Sequence, residues 1–278
     1  MKLSKILLGL AVVSVSILAY SCKKNEFRTN EYLDATGLAQ IKVVCFSPDS
    51  ANPSVQIYIN DERVSNNVAI TNQPFPGGGY NTGGDTYNGY LAIAPGNAKF
   101  RFVQATSYSS IITKDLFTTS VNLEPSAKQL VFLADTGVNR QLYAVKCETD
   151  RPDSGYAKIQ FVNNMANTAN IPISVVFNIK NTDTLMAHQL KFKDVKDFVK
   201  VPTYFSGATV KLFPSDSLKV GKSVSGKDSV YAPATALLGQ SYVFNGLSNR
   251  KVYTCAARGI YKSTNTVALP KVSFIIVQ

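Results

Sequence analysis

The stretch that most constrains the fold reads AQIKVV at residues 39–44, and a similar stretch, AKIQFV, occurs at residues 157–162. In both, small, polar and apolar residues occur in the same order, and alternate positions are apolar, as in a β-strand that buries a face. One such strand is weak evidence, so the fold assignment depends on the residues that come after each copy.

The same landmarks occur after both stretches, about 120 residues apart. Each copy continues with a turn, a strand ending in Asn, a strand after a proline, a strand running into glycine and a closing strand. These strands are predicted at 55–60, 98–103, 130–137 and 141–145, and again at 174–178, 208–213, 252–259 and 271–277. Short Val-, Ile-, Tyr- and Thr-rich strands between turn residues predict an all-β protein, a tandem pair of sandwich or barrel domains.

The predicted β domains are residues 38–147 and 156–278. Between them lies ETDRPDSG at residues 148–155, a charged stretch with Pro and Gly and without an apolar pattern. Such a composition is typical of a linker between domains.

The first residues have the three zones of an export signal. Lys2 and Lys5 precede an uncharged apolar run over residues 6–19, and the small residue Ser21 precedes Cys22. The run is shorter than the roughly 20 apolar residues that a helix needs to cross a bilayer.

This layout resembles the lipobox of bacterial lipoproteins. We therefore predict that residues 1–21 are a signal peptide, that Cys22 is acylated, and that the polar residues 22–37 are a tether. Tyr20 departs from the usual small or aliphatic residue of the lipobox, and the alternative is an ordinary signal peptide with an accidental cysteine. An acylated Cys22 would anchor the protein to a membrane of the bacterial cell envelope, expected to be the outer membrane, with either face open.

The charge of the chain constrains its partners. The formal net charge is +11, which permits contact with anionic lipids, acidic glycans or nucleic acid. The lysines are scattered, however, and no basic run is interleaved with aromatic residues. Together with the export signal, this excludes nucleic acid as an expected partner.

Three cysteines remain when Cys22 is set aside. Cys45 and Cys255 lie in apolar, strand-like segments, and Cys147 comes after the closing strand of the first copy. We expect buried free thiols that pack as small hydrophobic groups. A disulfide between Cys45 and Cys147 is the alternative.

The first copy also carries a family resemblance. IKVVCFSPD at residues 41–49, VQIYIN at 55–60 and YLAIAPG at 90–96 together resemble the family catalogued as domain of unknown function 4397. Cys45-Phe46 stands where that pattern has His-Ala, and the second copy lacks its Ser-Pro-Asp. The resemblance implies tandem immunoglobulin-like β-sandwich domains in an exported bacterial protein. It transfers no active site, because the family has no established activity.

Residues that would carry catalysis are scarce. His188 is the one histidine of the chain, and the sequence has no nucleophile elbow, no zinc-binding helix and no phosphate-binding loop. We therefore expect no enzyme, no cofactor and no metal. A hydrolase with two carboxylates across a cleft is a remote alternative.

One connection has an unusual composition, FPGGGYNTGGDTYNGY at residues 75–90. Tyrosine and asparagine on a glycine-rich backbone are typical of recognition loops. The candidate ligand-binding residues are Tyr80, Asn81, Asp85, Tyr87, Asn88 and Tyr90. The alternatives are a long hairpin connection without a ligand and a calcium site made by Asp85, Asn81 and Asn88.

These observations favour a non-catalytic binding or adhesion module at the cell envelope. Its ligand would be a glycan, a matrix polymer or an envelope protein. The alternative is a structural spacer or an assembly component of an envelope complex.

Overall fold

The structure is a computed structural model and describes residues 36–84, 88–105, 114–168, 170–179, 182–203, 208–222, 228–231, 236–244 and 246–278. These residues form β-strands and two single 3-10 turns, at Gly137–Asn139 and Ser215–Ser217, which confirms the all-β class. Among them, no helix is long and apolar enough to cross a membrane. The predicted signal peptide, Cys22 and residues 22–35 of the tether lie outside the described residues.

Residues 36–147, the first half, form two sheets. In chain order their strands are β1 (Ala39–Cys45), β2 (Ser54–Ile59), β3 (Glu62–Arg63), β4 (Val68–Ala69), β5 (Gln73–Phe75), β6 (Gly79–Tyr80), β7 (Leu91–Ile93), β8 (Gly96–Gln104), β9 (Lys114–Leu123), β10 (Lys128–Ala134) and β11 (Gln141–Lys146). Sheet 1 has the order β11-β10-β1-β5, with β7 also paired to β1, and sheet 2 has the order β3-β2-β8-β9, with β4 paired to β2.

Residues 156–278, the second half, form two sheets, one of them completed by β6 of the first half, and a hairpin. Their strands are β12 (Tyr156–Ala166), β13 (Ile173–Ile179), β14 (Thr182–Leu190), β15 (Val195–Pro202), β16 (Ala208–Pro214), β17 (Lys219–Lys222), β18 (Asp228–Tyr231), β19 (Tyr242–Phe244), β20 (Val252–Ile260) and β21 (Lys271–Ile276). Sheet 3 has the order β15-β12-β20-β21-β6, sheet 4 has the order β14-β13-β16-β19, and β17 pairs with β18.

Each half is a sandwich with its own apolar core. Ile41, Val43 and Cys45 of sheet 1 face Phe100 and Phe102 of sheet 2, and all five side chains are buried. The corresponding core of the second half lies between sheets 3 and 4. Packed faces of two sheets are what the period-two alternation of these strands predicts. The immunoglobulin-like assignment and the exact domain boundaries stay predictions.

A further core joins the two halves. Val44, Phe46 and Phe132 point to the opposite face of sheet 1 from the first core and pack against Val162 and Ile275 of sheet 3. Strands β1 and β12 are therefore largely buried on both faces, as is typical of strands in the middle of a layered structure. Residues Thr36–Gln278 form one compact unit, with the layers in the order sheet 2, sheet 1, sheet 3 and sheet 4.

The three cysteines of this unit are free and buried. Cys45 belongs to the core of the first half, whereas Cys147 belongs to the core between the halves, on the other face of sheet 1. The disulfide alternative for this pair is therefore wrong, and the expectation of buried free thiols is confirmed. Burial raises the pKa of the Cys45 and Cys147 thiols to about 12, because a thiolate is poorly solvated there.

Candidate functional site

The glycine-rich connection runs from the first half onto the second. Its strand β6 pairs antiparallel with β21, with Tyr80 opposite Phe274 and Gly79 opposite Ile275. A side chain at position 79 would meet the carbonyl oxygen of Phe274 at 2.8 Å, so the close approach of these strands requires glycine. This pairing brings Tyr80 to the edge of the second half.

Immediately after Tyr80 the chain turns at Asn81, whose φ of 55° is left-handed. The Asn81 side-chain amide donates a hydrogen bond to the carbonyl of Val272 at 2.5 Å. The Asn81 carbonyl accepts hydrogen bonds from the Ser273 hydroxyl at 2.7 Å and from Arg258 Nη2 at 3.1 Å. The polar groups of Asn81 are thus bound to the second half of the same chain.

The far end of the connection is held in a similar way. The Tyr90 hydroxyl donates to the carbonyl of Val277 at 2.9 Å. The ammonium of Lys42, a fully buried residue, donates to Asn88 Oδ1 at 2.7 Å and to the carbonyl of Ile276 at 3.0 Å, and lies 5.0 Å from the centre of the Tyr90 ring. Burial lowers the pKa of this ammonium to about 7.

The predicted ligand-binding residues therefore have different environments. Asn81 and Tyr90 use polar groups to hold the two halves together, and Asn88 accepts a hydrogen bond from Lys42 within the first half. Tyr80 lies at the surface with 38% of its area exposed. Asp85 and Tyr87 lie outside the described residues. Ligand contact by the six residues, and the calcium alternative that needs Asp85, stay predictions.

Tyr80 contributes to a cleft of about 250 Å³ at the edge of the second half. The described residues that line it are all uncharged, namely Tyr80, Tyr242, Val243, Phe244, Gly246, Leu247 and Phe274. Strand β19 supplies one wall, and its middle residue, Val243, is 59% exposed. Aromatic rings from β6, β19 and β21 thus converge on one opening.

The rings of the cleft support one another. The Tyr242 ring is stacked on Phe244 with centroids 6.5 Å apart, and Phe244 lies 5.2 Å from Phe274. The Tyr80 ring lies 6.1 Å from Tyr253, which is itself edge-on to Phe274. Rings at such distances and tilts attract one another beyond simple burial, so the aromatic wall is preorganised.

The hydroxyls of Tyr242 in the cleft and of Tyr253 beside it stay protonated at neutral pH. Burial raises the pKa of Tyr242 and of Tyr253, and the neighbouring Tyr80 adds to both shifts. The Tyr253 hydroxyl accepts a hydrogen bond from the backbone N–H of Ser248 at 3.0 Å. The cleft therefore offers the neutral phenol of Tyr242 beside apolar ring faces.

Sequence reasoning identified Tyr80 but missed Tyr242 and Phe244. Both lie in SYVFNG at residues 241–246, an alternating aromatic strand that ends in an Asn-Gly turn signal, which is a usable local signal. Their proximity to Tyr80 depends on the pairing of β6 with β21, and no local pattern predicts that pairing.

A larger depression of about 690 Å³ lies between the turn at Ser215–Ser217 and residues 261–264. Its lining combines aliphatic side chains with Asp216 and Lys262, and Tyr261 is the one aromatic residue among the described residues that line it. We place the candidate site in the smaller cleft because aromatic side chains converge there.

His188 lies near two hydroxyls. Its Nδ1 is 2.8 Å from the Ser174 hydroxyl, which is also 2.8 Å from the hydroxyl of Ser215. Ser174 is fully buried, so this hydroxyl is inaccessible to a substrate although His188 itself is exposed. Within the described part of the chain, no three His, Cys, Asp or Glu side chains are grouped closely enough to hold a metal ion.

Comparison with solved structures gives distant similarities. A Bacillus anthracis TIE protein is 7% identical over 81% of this chain and 34% of its own, with a TM-score of 0.23, so the chain spans about a third of that protein. Family 41 carbohydrate-binding modules from streptococcal virulence factors, which recognise α-glucan, are 12% identical over 83% of this chain and 99% of theirs, with a TM-score of 0.25.

A candidate cell adhesion protein from Bacteroides uniformis is 12% identical over 86% of this chain and 97% of its own, with a TM-score of 0.22. At these TM-scores the superpositions establish neither a shared fold nor a shared ligand. No curated protein matches the sequence. The family model described as "Domain of unknown function (DUF4397)" matches residues 39–174, which confirms the family resemblance of this part of the chain.

Proposed function

We propose that the protein is a non-catalytic binding module that takes a neutral glycan into the cleft around Tyr80 and Tyr242. The observation that carries this proposal is the convergence of tyrosine and phenylalanine rings in a cleft whose described lining residues are uncharged. A pyranose ring has an apolar C–H face and a rim of hydroxyls. Tyrosine matches both, because its ring is apolar and its hydroxyl can hydrogen-bond.

The size of the cleft limits the ligand. At about 250 Å³ it is slightly smaller than typical ligand pockets of roughly 300–1,000 Å³. We expect it to hold a short part of a glycan and to bind weakly at each site. Adhesion to a polymeric glycan would then depend on many anchored copies, because multivalent attachment multiplies weak affinities.

The test is binding of neutral and acidic oligosaccharides to the mature protein, by glycan array and then by calorimetry. We expect Tyr80→Ala and Tyr242→Ala each to weaken binding of a neutral oligosaccharide by about tenfold or more, equivalent to about 1.4 kcal/mol. Tyr156→Ala is the matched control, because Tyr156 is exposed to nearly the same extent as Tyr80, 37% against 38%, but lies outside the cleft.

The salt dependence of binding distinguishes binding in the cleft from binding to the basic surface of the protein. Binding in an uncharged cleft should change little between low and high ionic strength, whereas binding to scattered lysines should weaken as salt screens the charges. Binding that disappears with salt, or that is equal in all three tyrosine variants, would contradict the proposal.

The proposal includes export and lipid anchoring. The motivation is the layout of residues 1–22, and the expected mature protein begins at an acylated Cys22. Mass spectrometry of the mature N-terminus should find the lipid, and Cys22→Ser should release the protein from the membrane fraction. An unmodified N-terminus would refute the anchor, and protease treatment of intact cells would decide between the two faces of the membrane.

A structural spacer is the second candidate function. It is favoured by the shared core of the two halves, because this core makes residues 36–278 one layered body. A point substitution in the cleft distinguishes the two candidate functions, because a structural spacer should keep its function with Tyr242→Ala whereas a glycan-binding module should not. Deletion of residues 76–88 does not separate them, because it also removes Asn81, which binds the second half, and Asn88, which binds Lys42.

A further inference from the structure

A buried arginine lies directly behind the turn that presents Tyr80. Arg258 on β20 is only 5% exposed, and its hydrogen-bond acceptors are neutral oxygens. Its Nε donates to the Ser273 hydroxyl at 2.7 Å, and its Nη2 donates to the Asn81 carbonyl at 3.1 Å. Its Nη1 lies 3.5 Å from the carbonyl of Thr71 in the first half.

The same guanidinium also contacts an aromatic ring of the first half. Its central carbon lies 5.1 Å from the centre of the Phe46 ring, within the range of a cation–π interaction. Burying a cation without a carboxylate partner is unfavourable, and hydrogen bonds from every nitrogen to neutral oxygens offset part of that cost. Arg258 therefore contacts three segments of the first half, at Phe46, Thr71 and Asn81.

The Asn81 carbonyl matters because it lies one residue after Tyr80. Strand β6 is two residues long, so its pairing with β21 alone defines the direction of the Tyr80 ring poorly. Two donors, from Arg258 and Ser273, fix the carbonyl of the next residue. The turn at Asn81 is thereby held against the second half, and the Tyr80 ring is held over Tyr253.

We propose that Arg258 is the positioning residue of the aromatic cleft: its hydrogen bond to the Asn81 carbonyl fixes the Tyr80 ring, so the ligand site exists only while the two halves are docked. This inference rests on the proposed function for its ligand, but the position of the ring at residue 80 can be measured without any ligand.

The chain has no tryptophan, so Tyr80→Trp creates a single tryptophan reporter inside the cleft, which can be excited selectively over the tyrosines. In this background, Arg258→Met keeps much of the buried volume and removes the hydrogen bonds. We expect the indole emission to shift to the red and acrylamide quenching to increase, because the ring is released into water. A purely structural role for Arg258 would leave both signals unchanged once the protein is folded.

Arg101→Gln, in the same Tyr80→Trp background, is the matched control. The Arg101 guanidinium also covers an aromatic ring, 4.5 Å from the centre of Tyr58, and reaches the carboxylate of Asp115 at 3.5 Å, but it belongs to sheet 2. We expect no change in the indole emission with this variant. Arg258→Lys should restore part of the native emission, because an ammonium can still donate to the Asn81 carbonyl.

If circular dichroism shows that Arg258→Met does not fold, Ser273→Ala takes its place. It removes the other donor to the Asn81 carbonyl and should shift the indole emission in the same direction. Native emission and quenching in a folded Arg258→Met, or in Ser273→Ala where that variant is the one used, would overturn the proposal.

Binding of the neutral oligosaccharide completes the test in the wild-type tyrosine background. We expect Arg258→Met to weaken binding about tenfold, as for loss of one good contact. If the wild type binds no glycan but the indole reporter moves in the variants, positioning stands and the proposed function fails. If Tyr80→Ala abolishes binding but Arg258→Met changes neither binding nor the indole emission, the function stands and positioning by Arg258 fails.

Discussion

The two halves share one strand order and differ at one edge. In each, an opening strand pairs in parallel with a late strand, β1 with β10 and β12 with β20, and the late strand pairs with the closing strand, β11 or β21. In each, the facing sheet is built around a central antiparallel pair, β2 with β8 and β13 with β16. This shared connectivity agrees with the repeat predicted from the sequence, and an origin by duplication stays a prediction.

The difference lies beyond the closing strands. Among the described strands, β11 pairs with β10 alone, whereas β21 pairs on its second side with β6 from the first half. The exposed edge of a sheet can pair with strands of other molecules, and β6 covers part of the edge formed by β21. One glycine-rich connection therefore both covers an edge and brings Tyr80 to the aromatic residues of the second half.

A second difference lies at one matching position of the opening strands. Lys42 and Gln160 occupy the same place in the two repeats, and both face the region between the halves. Gln160 is neutral and bonds weakly, at 3.4 Å to the carbonyl of Lys146 and at 3.5 Å from the Thr254 hydroxyl. Lys42 places a cation in the same layer, without a carboxylate among its described hydrogen-bond partners.

The largest expected effect comes from separating the halves. Phe132 is fully buried in the shared core, 6.2 Å from Phe46 and 5.6 Å from Tyr143 between ring centres. We expect Phe132→Ala to lower the free energy of unfolding by about 3–5 kcal/mol, as for other buried phenylalanines. In urea, followed by circular dichroism, the single transition expected for the wild type should separate into two.

Phe177→Ala is the control inside one half. Phe177 is equally buried and packs edge-on against Phe161, Phe244 and Phe274, within the core of the second half. We expect Phe177→Ala to lower the free energy of unfolding by a similar amount, because the second half then unfolds first. If Phe132→Ala and Phe177→Ala gave identical transitions, the shared core would not be what couples the halves.

The next effect is a pH dependence caused by Lys42. Burial lowers its pKa from 10.5 to about 7, so above pH 7 the unfolded chain binds a proton that the folded chain has released. The contribution of Lys42 to the free energy of unfolding is therefore lowest below pH 7. It rises between pH 7 and 9, by at most about 1.4 kcal/mol per pH unit. Cys147, Lys128 and Tyr90 are the titratable groups that face it.

Lys42→Gln tests the origin of this pH dependence, because it places in the first half the residue type that Gln160 provides at the matching position of the second half. We expect the rise between pH 7 and 9 to disappear in urea titrations of the variant. Lys128→Gln is the control, because Lys128 lies over the same Tyr90 ring at 5.2 Å but is not fully buried, and the rise should persist. An equal pH dependence in wild type and Lys42→Gln would exclude Lys42 as its source.

Much of the fold could be predicted from the sequence. The strands predicted from period-two alternation are all present, because alternation directly reports one buried face. Strands such as β9 and β14 were missed because their residues are largely polar or half-buried. The uninterrupted apolar run Val43-Val44-Cys45-Phe46 is a signal, in retrospect, for a strand buried on both faces.

The candidate site could be predicted only in part. The unusual composition of residues 75–90 indicated a special role, and Tyr80 does line a cleft. The partners of this segment lie far along the chain, as in the bond from Asn81 to Val272 across 191 residues. Contacts between such distant residues depend on how whole sheets pack against one another. The composition of a segment does not predict that packing.

The smallest effects concern matching charge pairs on the outer sheets of the two halves. In the second half, Asp183 accepts a hydrogen bond from the Asn178 amide at 2.7 Å and lies 3.4 Å from the Lys211 ammonium. In the first half, Asp115 lies 3.5 Å from Arg101. The Asp183 side chain is 21% exposed and the Asp115 side chain is 52% exposed, so water competes less for the pair in the second half.

We therefore expect Asp183→Asn to lower the free energy of unfolding by about 0.5–1 kcal/mol and Asp115→Asn by less than about 0.5 kcal/mol. Both are measured by urea denaturation at low and high salt, and only the Asp183 effect should persist when salt screens exposed charges. Each variant serves as the control for the other, because both remove one carboxylate at nearly constant shape. If both substitutions lowered the free energy of unfolding equally, solvent exposure would not decide the strength of these charge pairs. The pairs would then stabilise the outer sheets of the two halves to the same extent.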